Sequence, residues 1–244
     1  MAAGPSATLG GVTRPGIPAR RSWFITFEGP EGAGKTTQVA RAATTLETLG
    51  IDVLVTREPG GTWLGERLRE VLLARSGAGA PRDATTDALL FNAARRQLVT
   101  EVIRPALEAG RTVLCARFAD STLAYQGYGA GVPLERLAAL ASAATDGLQP
   151  DLTLLLDVPP EVGLQRKAPG EVTRFEADFD LEFHRRVRDG FLAIAAREPE
   201  RFAVVDATAP EGDVTAAVER ILADLVVRGG HLSEPPPAPV RISP

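Results

Sequence analysis

The chain has 244 residues, enough for one sizeable α/β domain with room for ragged ends. Its 27 basic and 31 acidic side chains leave a net charge of −4, which gives no ground for a nucleic-acid or membrane-binding surface. A lone cysteine excludes an internal disulfide and suits a reducing, cytoplasmic setting, and no apolar run reaches the length of a transmembrane helix.

Residues 1–21 carry Gly, Pro and Arg without periodicity or an apolar core, and read as a flexible extension and not a secretory signal. Residues 22–228 then alternate short apolar runs with helical patterns. Strands are expected at 23–27, 52–56, 112–116, 152–157 and 202–206. A helix is expected from Gln38 to Leu49, and another where Leu64, Leu68, Val71 and Leu72 share a 3.6-residue period. Gly50 and Gly110 fall where left-handed helix caps belong, and Pro105 should kink or restart its helix. Cys115 sits in an apolar run and reads as a buried strand residue. Residues 229–244 include a proline run and read as a flexible tail. Short apolar strands separated by helices imply a five-stranded parallel sheet covered on both faces, a three-layer α/β sandwich.

The first strand runs into Gly29-Pro30-Glu31-Gly32-Ala33-Gly34-Lys35-Thr36-Thr37, which has the full Gly-x4-Gly-Lys-Thr spacing of a phosphate-binding P-loop. Glycines let backbone N–H groups turn inward around a polyphosphate, and Lys35 reaches its outer phosphates. Thr36 offers a hydroxyl to Mg²⁺, and the following helix points its positive end at the anion. The strand–loop–helix setting makes this the nucleotide-holding loop of a P-loop NTPase fold. Thr56-Arg57-Glu58-Pro59-Gly60-Gly61-Thr62 follows the second strand. Pro59-Gly60 alone would mean an ordinary turn, but Arg57 at a strand end is well placed to hold an acceptor phosphate.

Several further pieces follow in order: Phe91-x3-Arg95, then Arg117-x3-Ser121-x3-Tyr125-Gln126-Gly127, then Pro150-Asp151-Leu152-Thr153 running to Asp157, and Arg174-Phe175-Glu176. With the two loops, this ordered set resembles the bacterial-type thymidylate kinases over residues 23–227. The resemblance implies a phosphotransferase that moves the γ-phosphoryl group of ATP to dTMP, with Mg²⁺, as a homodimer. It implies that Phe91 stacks on thymine, that Arg95 donates to a base carbonyl, and that Tyr125 crowds the sugar 2′ position. It also implies that Glu31 approaches the acceptor sugar and the metal site, and that Arg117 holds the phosphates between donor and acceptor. By spacing alone, Phe91 fits a core position equally well, and Ser121 fits a helix cap as well as an acceptor contact.

The basic stretch within residues 166–176 resembles the family's mobile lid. Gly32 and Ala33 stand where some members carry a P-loop arginine, and members without it supply the transition-state cation from the lid. Arg166 and Arg174 are the candidates, with Lys167 behind them. One departure stands out. Ala116 precedes Arg117 where most members carry Asp, so the carboxylate that would hold Mg²⁺ waters is missing, and Asp157, Glu31 and Glu58 are the replacements available. Ala116 therefore raises the alternative of a weak or non-catalytic nucleotide binder, beside that of a kinase for another nucleotide. His184 and His231 have no partner pattern for metal or triad chemistry.

Overall fold

A computed structural model describes residues 22–75, 82–167 and 173–227. The expected extension (1–21), the whole of the expected tail (229–244) and lid positions 168–172 lie outside them. Five parallel strands, β1 (Phe24–Glu28), β2 (Val53–Arg57), β3 (Thr112–Ala116), β4 (Leu152–Asp157) and β5 (Phe202–Asp206), form one sheet in the order β2-β3-β1-β4-β5. The helices are α1 (Lys35–Thr48), α2 (Trp63–Leu73), α3 (Ala84–Leu98), α4 (Arg104–Glu108) and α5 (Ala119–Thr122). They continue as α6 (Leu134–Thr145), α7 (Pro160–Gln165), α8 (Arg174–Ala177), α9 (Leu181–Arg197) and α10 (Glu211–Val227).

The strands divide their side chains between two cores by simple alternation. Ile25, Phe27, Leu114, Leu154 and Leu156 face α1 and α10, where Leu46, Val218 and Leu222 complete the packing. Phe24, Val113 and Cys115 face Leu98 of α3 and Ile103, while Leu155 meets Phe183, Val187 and Phe191 of α9. Burying each such side chain is worth about 1.5–3 kcal/mol, so the paired cores fix the sheet between two helical layers. Cys115 is fully buried and its thiol donates to the Arg117 carbonyl, as befits a packing residue.

Strands β3, β4 and β5 lie where the apolar runs place them. Strands β1 and β2 sit one residue later, because polar Glu28 pairs with Leu155 and polar Arg57 with Ala116. Helix α1 begins at Lys35 instead of Gln38, since Gly34 takes a left-handed φ of 85° and opens the helix directly. Gly50 and Gly110 adopt positive φ of 74° and 80° at their helix ends. Pro105 does restart its helix: α3 runs into a π-helical turn over Val99–Ile103, and α4 then begins with Pro105 in its first turn, where its missing N–H is tolerated. A second π-helical stretch, Leu123–Gly129, carries Tyr125 and packs against α9.

Candidate active site

Beta strands β1, β2 and β3 end side by side at Glu28, Arg57 and Ala116, and the loops leaving them surround two adjoining cavities. Strand order reverses at β1, whose neighbours are β3 and β4, and such a crevice is where open parallel sheets bind ligands. The larger cavity, about 1240 Å³, is walled by residues 31–38, Arg57, Ala116, Arg166, Lys167 and the Ala207–Glu211 segment. The smaller, about 120 Å³, is lined by Pro59, Leu73, Phe91, Arg95, Tyr125 and Phe175 among others. Glu31, Arg117, Lys167, Glu58 and Arg69 line both.

The larger cavity opens on the P-loop. Gly32 lies so close to α7 that a Cβ there would stand 1.9 Å from the Gly163 carbonyl oxygen, so no side chain fits. Lys35 donates to the carbonyls of Gly29 (2.9 Å) and Pro30 (2.7 Å). Burial, followed by repulsion from Arg117, lowers its pKa to about 7. A polyphosphate in this cavity would restore its charge and draw the ammonium off those carbonyls. Thr36 and Thr37 face the same space from the first turn of α1.

Arg117 is the hub between the cavities. It adopts a left-handed φ of 68°, a conformation that non-glycine residues seldom take, and this turns its guanidinium back across the P-loop. There it donates to Gly29 O (3.2 Å), Ser121 Oγ (3.1 Å), Glu31 Oε1 (2.7 Å) and Tyr125 Oη (3.3 Å). Tyr125 in turn donates to Glu31 Oε1 at 2.8 Å. Burial opposes the Glu31 charge, but Arg117, Lys35 and Lys167 outweigh it and hold the carboxyl well below the usual carboxylate range. Burial and Arg57 together push the Arg69 guanidinium below its ordinary value, a sign of crowded cations facing space suited to an anion.

In the smaller cavity Phe91 presents a half-buried ring beside Phe175, 6.3 Å between centroids, and it also packs with the α9 core, so the residue is at once a core contact and part of the cavity wall. Arg95 is 1 % exposed, doubly bonded to Glu58 (2.9 and 2.8 Å), and further donates to Asn92, Phe118 O and Thr122. Its guanidinium is thereby fixed in plane at the cavity wall. Ser121 lines this cavity as well. Arg57 does not: it sits exposed on the larger cavity with Glu66 as partner, 2.9 Å away.

The three basic residues expected in a lid lie in different surroundings. Arg166 lines the larger cavity and donates to Ala207 O at 2.8 Å. Arg174 lines neither cavity. It is buried, ion-paired with Asp87 and stacked over Phe175 and Phe179, so in this conformation it is a structural cation. Lys167 instead lies on the wall of both cavities, 2.8 Å from Glu176 and 3.6 Å from Glu31. Asp157 is also displaced from its expected place as a metal contact: Arg188 clamps both its oxygens (2.7 and 2.8 Å), and it lines neither cavity. Arg69 went unmarked in the sequence, where nothing separates it from Arg67 two residues earlier. Only the fold shows that Arg67 pairs with Glu70 in solvent while Arg69 reaches Pro59 O and both cavities.

No cluster of three acidic, His or Cys side chains that would hold a metal by itself occurs among the described residues. Mg²⁺ needs less, because it takes hard oxygen ligands and is ordinarily carried in by substrate phosphates. The Thr36 hydroxyl beside the phosphate space fits that requirement.

Two ligand spaces that meet at one set of cations, with a P-loop under one and aromatic rings around the other, define a P-loop kinase acting on a nucleotide. The family model described as "Thymidylate kinase" matches residues 27–218. Thymidylate kinase of Thermomicrobium roseum is 54 % identical over 210 residues, 85 % of this chain and 98 % of the relative. That of Deinococcus radiodurans is 55 % identical over 196 residues, 80 % of this chain and 93 % of the relative. A crystal structure of thymidylate kinase from Ehrlichia chaffeensis superposes with a TM-score of 0.66 at 37 % identity, covering 82 % of this chain and 98 % of that one. The chain belongs to the thymidylate kinase family.

Proposed function

We propose that the larger cavity binds ATP, the smaller binds dTMP, and the γ-phosphoryl group passes between them at the wall they share. The enzyme is an ATP-dependent thymidylate kinase whose product is dTDP. The observation that carries the assignment of residues is that common wall of Glu31, Arg117 and Lys167. Phosphoryl transfer of this kind asks for in-line positioning and charge neutralisation more than for covalent chemistry.

Gly29, Pro30, Gly32, Ala33 and Gly34 shape the loop around the ATP phosphates, with Lys35, Thr36 and Thr37 contacting them. Arg117 bridges donor and acceptor phosphates, and Arg57 and Arg69 steady the acceptor phosphate. Phe91 stacks on thymine, Arg95 donates to a base carbonyl, Ser121 and Glu31 contact the acceptor, and Tyr125 stands against the 2′ position of the deoxyribose. Arg166 closes on the adenine side, beside Ala207. Lys167 supplies the closing cation, supported by its place on both cavities, and residues 166–176 serve as the lid. Mg²⁺, held with Thr36 and the ATP oxygens, would neutralise charge on the phosphates. A homodimer is proposed on the exposed apolar Trp63, Val71 and Leu89 of α2 and α3, and a cytoplasmic location on the lone buried cysteine.

An acceptor panel tests the assignment. Purified protein with ATP should phosphorylate dTMP well above the ribose analogue, dGMP or thymidine. A preference for a guanylate or a nucleoside contradicts the thymine-site assignment.

A further inference from the structure

Glu28 ends β1 immediately before the P-loop, is wholly buried, and touches neither cavity. Its Oε1 accepts from the Phe118 N–H (2.7 Å) and the Ser121 N–H (3.3 Å), and its Oε2 from the Ser121 hydroxyl (2.6 Å). Helix α5 has no side-chain cap of its own, so this carboxylate, delivered from the neighbouring strand, satisfies its first N–H groups. The capped turn is the one in which Arg117 is held at positive φ. Ser121 Oγ donates to Glu28 while it accepts from Arg117 Nη1, which links the buried carboxylate to the hub guanidinium through one hydroxyl.

We propose that Glu28 is a positioning residue for phosphoryl transfer: through Ser121 and the Phe118 amide it sets the Arg117 guanidinium on the wall between the two cavities. In this chain β3 ends in Ala116, so no carboxylate precedes Arg117 in its own strand to orient it, and Glu28 supplies that constraint from β1. The inference rests on the kinase reading given above.

Ionisation of Glu28 has a readable consequence. Burial, then the nearby Asp120, raise its pKa to about 7, against the opposing pull of Ser121, Arg117 and the Phe118 amide. The other charged or titratable groups around it are Lys35 on α1, Cys115 on β3, and Arg201, which neutralises Asp120 from the turn before β5. The ionised carboxylate accepts the Ser121 proton and leaves its Oγ lone pairs for Arg117. A neutral group at that place accepts more weakly, and Gln additionally points an N–H₂ at the hydroxyl, leaving the Ser121 O–H without its acceptor.

The test measures kcat/KM for dTMP from about pH 6 to 8.5 in wild type, Glu28→Gln, Ser121→Ala and the double variant, with KM for ATP and the thermal midpoint of each. Dividing wild type by Ser121→Ala, which keeps the Glu28 charge beside Lys35, cancels titration of the substrate and of Lys35, whereas Glu28→Gln also removes a charge that raises the Lys35 pKa. That ratio should climb roughly tenfold through pH 7, the size of one hydrogen bond to a charged group. KM for ATP should stay within about twofold, and the double variant should lose clearly less than the product of the two single losses, since both changes cut one chain of contacts. A ratio flat with pH, or losses that multiply in the double variant, overturns the proposal. If Glu28→Gln does not fold, the wild type to Ser121→Ala ratio decides alone: it must rise through the same pH, and a flat ratio refutes the link. Wild-type protein that forms no dTDP at any pH refutes the kinase reading instead, a separate outcome.

Discussion

Arg117 is the residue on which both ligand spaces depend. If it bridges the two phosphates as proposed, replacing it with Ala should lower kcat by roughly 10²-fold or more, as loss of one preorganised donor does elsewhere. Circular dichroism and the thermal midpoint check that the loss is catalytic. Ala116 lines the larger cavity at the place where the resemblance expects Asp, and Ala116→Asp should raise the rate severalfold by giving Mg²⁺ waters an acceptor; an unchanged or lower rate in the same assay would show that the site is already complete. At Glu28 the folded pKa of about 7 lies above the carboxyl's ordinary 4.5, so the native state binds this proton more tightly than the unfolded chain does. The stabilisation is full below about pH 4.5 and is lost as pH rises through 7. Urea midpoints of wild type should therefore fall relative to those of Glu28→Gln between about pH 5 and 8. A constant difference across that range would mean that Glu28 keeps an ordinary pKa.

At the scale of elements, what the sequence reveals depends on how local each signal is. The P-loop is wholly local, its motif read from eight adjacent positions, and β3, β4 and β5 coincide with the expected runs even where these end on Asp157 and Asp206. Strands β1 and β2 run one residue further, to Glu28 and Arg57, because the ladder is made by backbone groups and pairs these residues with Leu155 and Ala116 whatever their side chains. Charge is legible while its partner is not. Arg174 and Lys167 both look like lid cations, yet Arg174 finds Asp87 on α3, far away in sequence, and only folding reveals that pairing. The two should separate cleanly in experiment. Arg174→Ala leaves the buried Asp87 carboxylate with Arg82 as its remaining cation and should cost about 1–3 kcal/mol of stability in denaturant unfolding. Lys167→Ala should leave the unfolding midpoint nearly unchanged and lower kcat. The opposite pattern would return the catalytic role to Arg174.

For the whole molecule, the sheet order does the decisive work by bringing the ends of β1, β2 and β3 together, so that loops far apart in sequence enclose two spaces with one wall. Helices α1 and α10 pack on one face of the sheet and α3, α4 and α9 on the other, and Lys167 and Arg69 line both spaces beyond the strand ends. The most direct measurement is transfer of label from γ-³²P-ATP to dTMP by the purified wild-type protein with Mg²⁺. The two-cavity arrangement predicts one labelled dTDP for each ADP formed, at a rate lowered roughly 10²-fold or more by Arg117→Ala. Binding of both nucleotides without labelled dTDP, or label released only as inorganic phosphate, would contradict transfer across the shared wall.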